Sequence, residues 1–189
     1  METEQIALPP NAVLLVVDVQ QALDDNRAPR NNPDAEANIG RLLAAWRRAG
    51  RPLIHIRDNG SSPRSPFAPG QPGHAFKEAA QPLPGEIVLD KWGHSAFVGT
   101  DLEARLRGAG QETLVIAGLT VNQCVETTTR MAGNLGFVVY LVGDATAAWD
   151  RTGPDGRTHR AADIHSVSLA NLHGEFATVT DTDAVLAAV

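Results

Sequence analysis

A single cysteine, Cys124, stands in 189 residues. No internal disulfide can form, and one lone thiol in a chain of this length has two readings, a small buried hydrophobe or a reactive nucleophile. The first is the commoner fate. Long apolar runs are also missing: nothing approaches the roughly 18 to 20 residues that a membrane span needs, so a soluble protein is expected and no membrane partner. The opening METEQIALPP lacks a basic stretch followed by an apolar one, so no secretory leader is expected and the default location is the cytoplasm. Basic clusters are scarce as well. The net charge is −6, and Arg47, Arg48 and Arg51, the nearest thing to a basic patch, close a helix whose dipole end they complement, so no nucleic-acid partner is expected. Finally, VVDVQQALDD after the first apolar run offers no G-x-G-x-x-G, which argues against dinucleotide binding.

What is present is a globular composition, 43% apolar and 20% charged, of a size for one domain spanning 1–189. Strand-length apolar runs recur at 12–17, 52–57, 86–89, 113–117, 137–142 and 176–179, with helical segments between them. That alternation predicts an α/β fold, a three-layer α/β/α arrangement with a six-stranded parallel sheet of Rossmann-like type. Asn32 with Pro33 starts a helix that Gly50 ends. Thr100 and Glu103 stand at capping-box spacing before a second. Helices are further expected at 123–135, 156–172 and 183–188. The stretch 58–84 breaks the rhythm with six prolines and three glycines, and reads as a lid or binding loop rather than an interdomain linker.

Ligands of open parallel sheets bind beyond the carboxyl ends of the strands, so the residues that follow each strand carry the chemistry. Asp18 follows the first strand; alone it reads equally well as a turn residue. Lys91 follows the third, where an ordinary surface charge is the plain alternative. Cys124 follows the fourth, in or near the first turn of a helix, where the dipole and free backbone amides favour the thiolate. An acid, a cation and a thiol on one rim are what a nucleophilic acyl transfer needs. Trp149, Trp92 and Phe67 stand where they wall a pocket or simply pack as core or interface aromatics. Asn122 stands where it bonds a substrate amide or caps the helix, and Gln20 is a further candidate contact.

These residues carry a resemblance. Asp18 in DVQ, Lys91 followed by SAF, and GLTVNQCVETTTR with the GDA at Gly143 to Ala145 resemble the isochorismatase-like cysteine hydrolases over about residues 12 to 180. The resemblance implies a catalytic triad of Asp18, Lys91 and Cys124 and a cis peptide between Leu119 and Thr120. It also implies an oxyanion hole from the amides of Thr120 and Cys124, and assembly as dimers or tetramers. RNNPDAE with TTTRMAGNLGF is similar to the branch that contains streptothricin hydrolase. Nicotinamidases of this superfamily hold a metal with Asp-x-His, whereas the matching stretch here is HIRDNG. No metal is therefore expected at His55, Asp58, His74 or His94, and no cofactor. Three functions follow as candidates. The first is a cysteine hydrolase cleaving an amide-type C–N bond of a small molecule; the others are vinyl-ether cleavage of isochorismate and a non-catalytic member of the fold.

Overall fold

The sheet grows from β1 (Val13–Val17), whose five residues are all buried and whose alternate side chains face opposite ways. In a computed structural model that describes residues 6–24 and 28–189, β1 lies at the centre of a parallel sheet. The opening residues 1–5, on which part of the leader reading rests, lie outside the described set. The other strands are β2 (Leu53–Asp58), β3 (Ile87–Lys91), β4 (Thr113–Leu119), β5 (Val138–Ala147) and, after a short hairpin, β8 (Thr178–Thr180). Their order is β3-β2-β1-β4-β5-β8, parallel throughout, with Val17 opposite both Ile56 and Gly118. The expected six strands and layers are thus present.

Helices cover both faces. On one, Val13, Leu15 and Val17 pack under α2 (Leu102–Gly108), α3 (Glu126–Asn134) and α4 (Ala161–Leu172) through Leu102, Leu106, Ala132 and Leu172. On the other, Leu14 and Val16 meet Ile39, Leu42, Leu43 and Trp46 of α1 (Ala35–Ala49) and Val185 of α5 (Thr182–Ala187). Burying such side chains contributes roughly 1.5–3 kcal/mol each. The GDA motif is structural here: Asp144 accepts from Thr182 N and Oγ1, both at 2.8 Å, and so fastens α5 to β5.

Several local expectations are corrected. α1 begins at Ala35, not Pro33; Asn32 does not cap it, having φ 48° and a side-chain amide that donates to the carbonyls of Asp144 and Thr146. Glu103 does not complete a capping box, because it pairs with Arg107 while Thr100 Oγ1 alone accepts from Leu102 N. The helix expected from 156 starts at Ala161. Before it β6 (Arg151–Thr152) and β7 (Thr158–His159) form a hairpin around Pro154–Gly156.

The proline-rich stretch runs from β2 to β3 through short 3-10 turns at Pro72–His74 and Glu78–Ala80. It is tied down at its far end, where Gln21 N donates to Ala75 O and Lys77 N to Val19 O, each at 2.9 Å. Among the described residues no helix is long and apolar enough to cross a membrane.

Candidate active site

Four neighbouring strands end at one rim, and each delivers a side chain there. Lys91 closes β3, Asp58 closes β2, Asp18 follows β1, and Cys124 lies in the wide turn Val121–Val125 after β4. This is where the chain order reverses on either side of β1, the crevice in which such sheets bind ligands. Gly118 allows the rim to close up. A Cβ there would meet Val17 O at 2.1 Å, so only glycine lets the end of β4 approach the strand that presents Asp18. The peptide that follows, Leu119 to Thr120, is cis, as the resemblance implied.

Lys91 is fully buried, and its ammonium is the hub of the cluster. Nζ lies 2.8 Å from Asp18 Oδ2 and donates to Gly93 O at 2.9 Å, Asp58 Oδ2 at 3.2 Å and Cys124 Sγ at 3.6 Å. Asp18 Oδ2 pairs with the ammonium, and among the described residues neither buried carboxylate oxygen has an aligned hydrogen-bond donor. Asp18 therefore keeps acceptor capacity for a proton. One donor atom each from Asp18, Asp58 and Cys124 lies within 4.8 Å of the others, a set able to ligate a cation, but all three side chains already touch the Lys91 ammonium.

Burial pushes the Asp18 carboxyl up to about 6, with Lys91 opposing that rise. Burial alone would lower Lys91, but Asp18, Cys124 and Asp58 more than offset it and the ammonium is held above its ordinary value. The thiol departs from expectation. Cys124 lies in the helical turn that leads straight into α3, near its first turn as expected, but it is only 8% exposed, and burial followed by the charge of Asp18 pushes its pKa up, not down. Burial thus favours the thiol over the thiolate at Cys124, while its anionic neighbours favour the ammonium at Lys91.

A cleft of about 300 Å³ opens beside the cysteine turn. Leu23, Pro66 and Trp149 give it apolar walls; Thr120, Asn122 and Arg151 supply polar groups. Asn122 and Trp149 are thus both on the wall of this cleft. Phe67 does not line this cleft, its neighbour Pro66 taking the place, and Trp92 is 63% exposed beside a separate hollow at Asn59–Pro63. Gln20 is corrected outright. It is sealed from solvent, accepting from Asp58 N at 2.8 Å and donating to Asp58 O and His74 O at 3.0 and 3.1 Å, so its amide is spent on backbone.

Two further residues join the cluster that the sequence offers only as disfavoured metal ligands. Asp58 stands at the end of β2, where the rule about strand ends points to it as well. His94, read as a loop residue, places Nδ1 3.4 Å from Cys124 Sγ; no sequence spacing foretells that contact.

The Isochorismatase domain family matches residues 12–184. The chain belongs to the isochorismatase family. An isochorismatase-family protein of Chromobacterium violaceum superposes with a TM-score of 0.95 at 48% identity, covering 97% of this chain and 96% of that one. The isochorismatase-family protein YrdC of Bacillus subtilis is 45% identical over 92% of this chain and 93% of its own length. Ureidoacrylate amidohydrolase RutB of Methylobacterium radiotolerans is 30% identical over 96% of this chain and 81% of its own. Streptothricin hydrolase of Streptomyces noursei is 36% identical over 72% and 50%. This protein is accordingly an isochorismatase-family hydrolase with an α/β/α fold.

Proposed function

We propose that this hydrolase cleaves an amide-type C–N bond of a small molecule through a thioester on Cys124. The observation that carries the reading is the meeting of Cys124 Sγ, the unspent carboxylate of Asp18 and the Lys91 ammonium at the rim, beside an apolar cleft. A relative named for amide hydrolysis supports the bond type. Asp18 takes the thiol proton, and the sulfur attacks the carbonyl carbon. Asp18 then returns that proton to the departing nitrogen as the C–N bond breaks. Lys91 stabilises the negative charge as it moves between oxygen and sulfur. The amides of Thr120 and Cys124 hold the oxyanion, where one such donor accounts for roughly 10²- to 10³-fold in rate.

Trp149 and Asn122 orient the substrate, and Phe67 and Trp92 act only if the 58–84 stretch moves over the cleft. The protein works in the cytoplasm as a homo-oligomer, without cofactor or metal. The test is a panel of primary amides, lactams, ureido acids and carbamoyl amino acids scored by amine release, with isochorismate included and scored by pyruvate. Cys124→Ala should keep the fold and lose at least about a thousandfold in rate. Amine release by that variant at the parent rate would sink the proposal, and pyruvate from isochorismate alone would replace it with vinyl-ether cleavage.

A further inference from the structure

Cys124 Sγ is touched from two sides. Lys91 Nζ, fully buried, reaches it at 3.6 Å; His94 Nδ1 reaches it at 3.4 Å from an exposed position on the loop after β3. Asp18, the other proton carrier, is 2% exposed and paired to Lys91. The two halves of a thioester reaction make different demands on these groups. In the first half the proton moves within the cluster, from sulfur to carboxylate to leaving nitrogen. In the second a water molecule must be brought from bulk and relieved of a proton beside the sulfur. His94 is a basic side chain that meets both bulk water and the sulfur.

We infer that His94 is a catalytic residue of deacylation, the group that activates the water which hydrolyses the Cys124 thioester. This rests on the thioester reading above. Neutral His94 takes one proton from water as the water oxygen bonds to the thioester carbon, giving a tetrahedral oxyanion and an imidazolium. The oxyanion collapses, the C–S bond breaks, and the departing sulfur takes the proton from Nδ1. The carboxylic acid leaves, and thiol and neutral imidazole are restored. Each proton is accounted for, and the 3.4 Å contact is the path of the last transfer.

The probe is p-nitrophenyl acetate, which acetylates a reactive thiol whatever the natural amide is. Wild type, His94→Asn and His94→Ala are each acetylated, freed of excess reagent, and followed by intact mass as the acetyl group leaves Cys124, with circular dichroism to check the fold. Both variants should still take up the acetyl group but lose it roughly a hundredfold more slowly than wild type. Added imidazole should speed His94→Ala, a rescue that a merely structural role would not give. Decay at the wild-type rate, or slow decay without imidazole rescue, overturns the role of His94 and leaves the thioester reading intact. Wild type that neither releases p-nitrophenol nor carries acetyl on Cys124 overturns both.

Discussion

Asp58 Oδ2 accepts from Lys91 Nζ at 3.2 Å, so the buried ammonium answers to two carboxylates rather than one. On the proposed mechanism the roles divide: Asp18, which stands nearer at 2.8 Å, would move the proton and Asp58 would help hold the cation. Asp58→Asn should lower amide turnover about tenfold, whereas Asp18→Asn should abolish it to within about a thousandth. Steady-state kinetics on any substrate from the panel decide this, and equal losses would refute the division.

The raised Asp18 carboxyl gives two opposed pH trends. Turnover needs the ionised acid, so kcat/KM should climb as pH rises through about 6. Stability runs the other way. A carboxyl with a folded pKa near 6 and an unfolded value of 3.8 contributes its stability fully below 3.8 and loses it as pH rises through about 6. The difference in denaturation midpoint between wild type and Asp18→Asn, followed from pH 4 to 7, should therefore shift against the wild type. A constant difference contradicts the burial of this charge.

Glu36 makes the contrary case. Burial would raise it, but paired contacts to Arg30 and a 2.8 Å contact from Lys77 hold it down at about 2. Its contribution is present above the unfolded value of 4.5 and is lost as pH falls toward 2. Glu36→Gln should cost on the order of 2 kcal/mol at neutral pH, after allowance for screening, and nearly nothing near pH 2. Chemical denaturation at the two pH values checks the sign.

The buried clasp of Gln20 is tested through the proline-rich stretch. Gln20→Leu leaves the Asp58 amide and two carbonyls without their partners, a loss of about 3 kcal/mol. Limited proteolysis should then cut within 59–77 faster than in wild type while the sheet stays intact. Unchanged cleavage would show that the contacts at Val19 and Gln21 suffice.

How far the chain could be read in advance depended on how local each cause is. The strands announced themselves because they are sheathed on both faces, so β1 and β4 are continuous apolar runs and the rule about strand ends located Asp18, Lys91 and Cys124. The hairpin at Arg151–His159 stayed hidden because its two-residue strands are exposed and carry no alternation. Asn32 looked like a cap because the residues that bind its side chain, Asp144 and Thr146, lie over a hundred positions away. The thiol differs from expectation for a similar reason. A dipole is visible in sequence; the burial that overrides it is not.

The strand order also acts as a ruler. Neighbouring strands stand about 4.8 Å apart, so β3 and β4 are separated by roughly 14 Å, with β2 and β1 between them. The ammonium and the sulfur touch only because a long, unbranched side chain from one bank leans toward a turn from the other. Grafting this chemistry onto another scaffold would require matching reach to lane count: a framework that placed the cation one lane nearer or farther would need a side chain of different length.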